Sequence, residues 1–170
     1  GSVRKAHVDQ FEDGIWTVPG ENLKGRKGKT ADLRIPVTAE MQTVMDKTLP
    51  YRRDGHIFPA PRGGKKGPPY LGDASMIRFL QRRGIDARPH GFRSTLRVWL
   101  AECTDASFEV AELMIGHLVG TSVTRAYQRT DFLEQRRALF LQWSRFVTGT
   151  VPGPDSHAQG ARGSSESAKS

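Results

Sequence analysis

Two short runs of alternating apolar and polar residues predict a β-hairpin near the start of the chain. Segments 14–19 and 33–37 are rich in residues that favour strands, and glycine or proline bounds each of them. Between them, residues 20–32 form a basic stretch that contains several glycines. Glycine permits sharp turns and close approach of the backbone to a partner. This stretch is therefore predicted to be a loop that connects the two strands.

Helical spacing of apolar residues predicts two helices in the middle of the chain. Thr38 is a suitable N-cap for the first, which is expected to run to about Leu49. Its predicted apolar face consists of Met41, Val44, Met45 and Leu49. Asp73 is expected to cap the second helix, which continues through Arg83 and stops at Gly84. Its predicted buried stripe consists of Met76, Ile77 and Leu80.

Three further amphipathic helices are predicted in the C-terminal half. They cover residues 90–102, residues 107–115 and a segment that begins at Asp131, where Glu134 completes a capping box. The residues expected to be buried are Phe92, Leu96, Trp99, Leu100, Cys103, Leu133, Leu139, Phe140, Trp143 and Phe146. The predicted fold class is α+β and mainly α, with a small antiparallel β-hairpin or sheet packed on a helical core.

Length and composition predict one domain followed by a tail. A chain of 170 residues with 36% hydrophobic content can bury one ordinary core. That domain is predicted to cover residues 1–148. Residues 149–170 are mostly glycine, serine, alanine and proline without a periodic apolar face, so nothing offsets the entropy of ordering them. They are predicted to be a disordered tail.

The charge of the chain favours a polyanionic partner. Its 26 basic and 18 acidic side chains give a formal net charge of +8, and the tail has as many acidic as basic residues. A basic folded surface attracts nucleic acid through long-range steering and counterion release. Cys103 is the single cysteine, so no intramolecular disulfide can form. The chain lacks an apolar run of membrane-spanning length. These features predict a soluble, intracellular protein.

Four residues in the C-terminal half have side chains suited to phosphodiester chemistry. His90 and Arg93 are three apart at a predicted helix start, where the positive end of the helix dipole favours phosphate. His117 follows a glycine in a predicted turn, and Tyr127 lies ten residues further on. A tyrosine hydroxyl has a pKa of about 10, so a nucleophilic role requires cations and proton-transfer groups around it. Each residue taken alone has an ordinary structural interpretation; their combination favours a catalytic one.

Several motifs together resemble those of one enzyme family. The segments His90-Gly91-Phe92-Arg93-Ser94-Thr95, Ile115-Gly116-His117, Ala126-Tyr127-Gln128-Arg129 and Arg136-Arg137-Ala138-Leu139 resemble tyrosine recombinases, particularly phage and genomic-island integrases of the P4 type. The stretch from Trp16 through Leu23-Lys24 to Val37 is similar to the family hairpin that holds a catalytic lysine. The resemblance extends from about Val8 to Val147, and it implies the tyrosine-recombinase catalytic-domain fold.

The resemblance implies a role for each candidate residue. Tyr127 would be the nucleophile that forms a 3′-phosphotyrosyl link to DNA, and Arg93 would hold the scissile phosphate. His90 would assist proton transfer or phosphate binding, and His117 would stabilise the transition state by hydrogen bonding. Lys24 would be the general acid that protonates the leaving 5′-oxygen, in preference to Lys27 and Lys29. The residues expected to contact DNA are Lys24, Arg26, Lys27, Lys29, Lys65, Lys66 and Arg93. Neither a metal nor another cofactor is implied.

The chain departs from the family at one position. Tyrosine recombinases use another arginine early in the domain, followed three residues later by glutamate. Arg4 is the available candidate, but His7 occupies the position of that glutamate. The missing arginine is therefore expected upstream of the chain, together with the first helices of the domain and a DNA-clamping domain. Gly1-Ser2 resembles a residue pair left after tag removal, which fits a catalytic fragment.

The implied partners are double-stranded DNA attachment sites and other copies of the protein, because the family acts as tetramers on two duplexes. DNA-bending accessory proteins are further partners that the family can use, and no membrane partner is expected. Two alternatives remain at the sequence level. One is a type IB topoisomerase, which shares the chemistry. The other is a DNA-binding or assembly module that retains the fold but does not cut DNA.

Overall fold

Three antiparallel strands form a small sheet in the first part of the chain. The computed structural model describes residues 1–23, 30–61, 67–117 and 130–150. Strands β1 (Phe11–Glu12), β2 (Ile15–Val18) and β3 (Leu33–Pro36) lie in the order β1-β2-β3. The pairing of β2 with β3 confirms the predicted hairpin. The short β1, which a tight turn connects to β2, was not predicted.

Five helices account for most of the remaining regular structure in the described ranges. They are α1 (Ala39–Lys47), α2 (Ser75–Arg82), α3 (Pro89–Cys103), α4 (Phe108–Met114) and α5 (Leu133–Val147). Short 3-10 turns cover Ser2–Lys5, Val8–Gln10, Gly20–Asn22 and Leu49–Tyr51. This mainly helical arrangement with a small antiparallel sheet confirms the α+β class. No described helix has both the length and the apolar character needed to cross a membrane.

Two groups of buried residues form the core, and Ile35 of β3 packs against both. The first lies around the sheet and contains Ala6, Trp16, Val18, Leu33 and Ile57. The second lies between α3, α4 and α5 and contains Trp99, Leu100, Ala111, Met114 and Phe140. Trp143 and Phe146 of α5 stack against Trp99 with ring centroids 5.3 and 5.9 Å away. The sheet therefore packs on the helical core as predicted.

The first two helices depart from their predicted boundaries and faces. Thr38 caps α1 as predicted, since its hydroxyl accepts from the Met41 amide at 3.3 Å. The helix ends at Lys47, and both Val44 and Leu49 are exposed instead of buried. In α2, Leu80 is buried, but Met76 is half exposed. The helix begins after Ala74 without a side-chain cap, so the prediction that Asp73 caps it was wrong.

The helices α3 and α5 form where they were predicted, but one predicted buried residue and one predicted cap differ. Phe92 is 56% exposed, although Trp99 and Leu100 on the same helix are buried as predicted. The helix α5 follows Phe132, whose φ of 53° is left-handed, and the predicted capping box is absent. The Glu134 carboxylate instead accepts from Arg137 one turn later. Cys103 is half-buried and packs against the second cluster, as expected for a core residue.

Candidate active site

The beginning of α3 carries two of the predicted site residues. Pro89 occupies the first turn, which suits a residue without an amide hydrogen, and His90 and Arg93 follow one turn apart. His90 is exposed and Arg93 is half-buried. Within the described ranges, neither side chain has a hydrogen bond or ion pair. Both side chains are thus available to a ligand, at the helix end where the dipole favours anions.

A carboxylate connects the predicted His117 to α3. Glu112 on α4 accepts a hydrogen bond from Nε of Arg97 at 2.9 Å and one from Nδ1 of His117 at 2.6 Å. Arg97 lies one helical turn after Arg93, on the same side of α3. Burial would raise the pKa of the Glu112 carboxyl, but the bonds from His117 and Arg97 bring it below its ordinary value of 4.5. His117 is therefore fixed beside the cationic side of α3.

The end of α4 lies against the beginning of β3. Gly116 has a φ of +69°, the left-handed conformation that commonly ends a helix. A Cβ added at this position would be 3.4 Å from Cδ2 of Leu33. The amide of His117 also donates to the Glu112 carbonyl at 2.9 Å, which turns the chain back over α4. His117 is thus placed next to the strand that follows the predicted lysine loop.

The beginning of α5 is held to the same strand by a network of three charged residues. Asp131 accepts two hydrogen bonds from Arg34 of β3, at 2.9 and 3.0 Å, and one from Nη2 of Arg136 at 3.1 Å. Arg136 is completely buried, and it also donates to the carbonyls of Asp131 and Arg34 at 2.8 and 2.6 Å. Each of the three nitrogens of this guanidinium donates to an acceptor, which offsets part of the cost of burying its charge.

Burial and the neighbouring charges shift the pKa values of this network in opposite directions. Burial would raise the pKa of the Asp131 carboxyl, but the bond from Arg34 and the charge of Arg136 bring it below its ordinary value. The bond to Asp131 raises the pKa of Arg34. Burial lowers the pKa of Arg136, but an arginine keeps its charge at any working pH. The network is therefore ionised near neutral pH.

The two ends of the predicted lysine loop lie next to each other. The amide of Gly20 donates to the Asp32 carboxylate at 2.8 Å. A Cβ added at Gly20 would clash with the carbonyl oxygen of Thr30, at only 1.8 Å, so the two backbone segments approach more closely than another residue would permit. The loop therefore leaves and re-enters the sheet at one place.

Three of the five predicted catalytic residues lie within the described ranges, and Glu112 connects one of them, His117, to Arg97 of α3. His90, Arg93 and His117 are located as expected from the sequence, on α3 and at the end of α4. Tyr127 and Lys24 lie outside the described ranges. The same holds for most of the predicted DNA-contacting residues, namely Arg26, Lys27, Lys29, Lys65 and Lys66.

Arg4 has a structural partner in this fold. Its guanidinium forms an ion pair with Asp73, donates to the carbonyl of Leu71 at 3.2 Å and lies over the ring of Tyr70. His7, three residues later, contacts the carbonyl of Asp54 through its ring at 3.0 Å. Arg4 thus contacts Asp73, Leu71 and Tyr70 within the fold.

Sequence reasoning missed the residues that support the site. Glu112 precedes His117 by five residues, a spacing that the reversal at Gly116 converts into a direct contact. Arg97 follows Arg93 by four residues, which was a usable signal for a shared helix face. Arg34 and Asp131 are far apart in sequence, so their pairing had no local signal. Within the described ranges, no three histidine, cysteine, aspartate or glutamate side chains are grouped as metal ligands.

Comparison with known proteins identifies two relatives. The chain is 26% identical to prophage integrase IntA of Escherichia coli (strain K12) over 145 residues, covering 84% of this chain and 33% of that protein. It is 25% identical to the integrase of Shigella phage Sf6 over 152 residues, covering 88% of this chain and 38% of that protein. The chain thus spans about a third of the first relative and 38% of the second. No protein-family model matches it, and no solved structure is a significant match.

The lowered pKa of Glu112 predicts a specific loss of stability in acid. A carboxyl whose pKa is lower in the folded state stabilises the fold above its unfolded pKa, and this contribution is lost as the pH falls through the folded pKa. The variant Glu112→Gln should therefore be less stable than the wild type at pH 7, and the difference should shrink below about pH 4.5. Urea unfolding at pH 7 and pH 3 measures this. A difference that stays constant with pH would contradict it.

Proposed function

We propose that this chain is the catalytic part of a site-specific DNA recombinase, which cleaves and rejoins DNA strands through a 3′-phosphotyrosyl intermediate. One observation supports the proposal most strongly: residues on both sides of one candidate segment contact the strand that follows the other. Residues 118–129, which include Tyr127, follow His117 and precede the Asp131 network. Residues 24–29, which include Lys24, precede β3, the strand that contacts Gly116 and Asp131. We therefore propose that the candidate nucleophile and general acid act at the same place.

The reaction that this arrangement would perform is a reversible transesterification. The hydroxyl oxygen of Tyr127 attacks the scissile phosphorus and passes its proton to His90, a phosphotyrosyl bond forms and the bond from phosphorus to the 5′-oxygen breaks. Lys24 donates a proton to that oxygen, which leaves as a 5′-hydroxyl. Arg93 binds the nonbridging oxygens, where a guanidinium fork matches two of them, and His90 and His117 contribute further donors. Attack by a 5′-hydroxyl of another strand reverses these steps and joins the strands without an external energy source.

The two relatives and the charge of the chain support DNA as the substrate. Both relatives are named integrases, one of a prophage and one of a phage. The excess of basic residues provides the general attraction to the phosphate backbone. By the same resemblance we propose DNA integration for a phage or other mobile element in the bacterial cytoplasm. Assembly as a tetramer on two attachment-site duplexes, with DNA-bending proteins as accessory partners, belongs to this proposal.

A second candidate function is a DNA-binding or assembly module without strand cleavage. The observation that favours it is the engagement of Arg4, which is held by Asp73 and Leu71 and is not available to a phosphate. Tyrosine recombinases use two arginines, and Arg93 supplies one. The two functions differ in one measurable property, because only the recombinase becomes covalently attached to DNA.

The test is covalent trapping on nicked DNA with the full-length protein. A pool of duplexes with a randomised core and a nick placed to release the cleaved end would trap the phosphotyrosyl intermediate. We expect adducts that survive a denaturing gel and disappear after protease treatment, and sequencing of the trapped DNA should yield a common target. Binding to the pool without any adduct would favour the noncatalytic module.

Replacement of Arg93 by alanine should reduce adduct formation by about 10²–10³-fold, the loss seen when one donor to a transition-state oxyanion is removed. Stability should change little, because Arg93 has no described hydrogen bond or ion pair to lose. The rate of adduct formation on the trapped target sequence measures the effect. Arg145→Ala, at an exposed position in the last turn of α5, is the control of equal charge. Equal losses in both variants would contradict a specific role for Arg93.

A further inference from the structure

The carboxylate of Glu112 has two partners, and only one of them is needed to join the helices. One oxygen accepts from Arg97 at 2.9 Å, which connects α3 to α4. The other accepts from Nδ1 of His117 at 2.6 Å. The Glu112 side chain is 17% exposed, whereas that of His117 is 54% exposed. The hydrogen bond from His117 to Glu112 therefore orients an imidazole ring that stays exposed to solvent.

The geometry fixes which ring nitrogen of His117 is available to a ligand. A carboxylate beside Nδ1 favours a proton on that nitrogen, so Nε2 is left directed away from Glu112. The backbone contributes to the same orientation, because the amide of His117 donates to the carbonyl of Glu112 at 2.9 Å. Arg97, whose guanidinium also lies 5.7 Å from the centre of the Phe108 ring, restrains the carboxylate from the opposite side.

We infer that Glu112 is a positioning residue for His117, with Arg97 as its support. The inference rests on the proposed function for its catalytic consequence. In that reaction Glu112 sets the tautomer of the ring and directs Nε2 toward the phosphate beside Arg93. Glu112 itself does not contact the DNA. A simple ion pair between α3 and α4 would have required Arg97 and Glu112 alone.

The experiment has one arm that is independent of cleavage. Nitrogen chemical shifts of ¹⁵N-labelled histidine report the tautomer, measured at a pH where the ring is neutral and assigned by comparison with His117→Ala. We expect the Nδ1-protonated form in the wild type. Glu112→Gln offers one oxygen where the carboxylate offers two, so His117 and Arg97 compete for it and the tautomers should mix. Glu112→Ala removes both acceptors and should shift the ring further toward Nε2 protonation.

The second arm is a double-mutant cycle on adduct formation with the trapped target DNA. Glu112→Gln alone should slow the reaction by about 10–100-fold, as expected for loss of a group that orients a catalytic ligand. In a His117→Ala background the same substitution should cause no further loss, because Glu112 acts through His117. Glu109→Gln, at an exposed acidic position on the same helix, is the matched control and should retain the wild-type rate. Circular dichroism verifies that each variant is folded.

The two arms separate the inference from the function on which it rests. An unchanged tautomer in Glu112→Ala, or a full additional loss in the His117→Ala background, would overturn the positioning role even if the wild type cleaves DNA. A wild type that never forms an adduct would contradict the proposed recombinase. In that case the tautomer arm still decides whether Glu112 sets the His117 ring.

Discussion

Replacement of Tyr127 by phenylalanine should abolish covalent attachment to DNA and leave noncovalent binding nearly intact. The substitution removes the one oxygen that can form the phosphotyrosyl bond, so the loss should be complete and not partial. Affinity should persist because it arises mainly from cations that contact phosphates, and phenylalanine changes none of them. Adducts on a denaturing gel and fluorescence anisotropy of labelled duplex measure the two properties separately.

The fold supplies a distance argument for this assignment. Asp131 is four residues after Tyr127, so the two Cα atoms can be no more than about 14 Å apart. Asp131 is bound to Arg34 of β3 and to the buried Arg136, which fixes one end of that span. The control is Tyr51→Phe, since Tyr51 is 72% exposed and is not part of the site. An adduct that persists in Tyr127→Phe and is lost in Tyr51→Phe would refute the assignment.

The elements that were predicted correctly are those whose signal is local. Alternation over a few residues located β2 and β3, and helical periodicity located the five helices of the described ranges. The failures occur where a distant residue determines the outcome. Asp73 is a reasonable helix cap by type, but Arg4 pairs with its carboxylate from the other end of the chain. The two-residue strand β1 depends on pairing with β2 and has too few residues for a pattern of its own.

At the candidate site, too, the sequence indicates the residue types but not their tertiary partners. The sequence predicts His90, Arg93 and His117 as site residues from their chemistry and their resemblance to a family motif, and their roles stay predictions. The residues that orient them were not selected, because a glutamate on α4 and an arginine on α3 are ordinary surface residues until the helices pack. The capping box at α5 failed for a related reason, since Asp131 is bound to arginines and Glu134 pairs with Arg137.

The network at the beginning of α5 should be the most sensitive point of the fold to a single substitution. Arg136→Met should lower the free energy of unfolding by about 3–5 kcal/mol, the cost typical of removing one partner from a buried ion pair. Three acceptors each lose one hydrogen bond: the carbonyls of Asp131 and Arg34, and the carboxylate of Asp131, which keeps the bonds from Arg34. Small domains are stable by only about 5–15 kcal/mol, so this loss would leave a marginal protein.

Two further variants distinguish the loss of directed hydrogen bonds from the loss of a positive charge. Arg136→Lys keeps the charge but cannot donate to three acceptors in fixed directions, so its stability should be intermediate. Arg137→Met, at the next position, removes an exposed pair with Glu134 and should change stability by less than about 1 kcal/mol. Urea unfolding at pH 7 measures all three. An Arg136→Met variant as stable as Arg137→Met would show that β3 and α5 do not depend on this guanidinium.

The same network links stability to the proposed chemistry. Arg34 lies on the strand that follows the segment with Lys24, and Asp131 lies just beyond the segment with Tyr127. The variant Arg136→Lys should remain folded. We therefore expect its folded fraction to form adducts more slowly than the wild type does. The ratio of adduct formation rate to DNA affinity, compared with that of Arg137→Met, tests this. An unchanged ratio would mean that the network holds α5 to the sheet without influencing where the nucleophile lies.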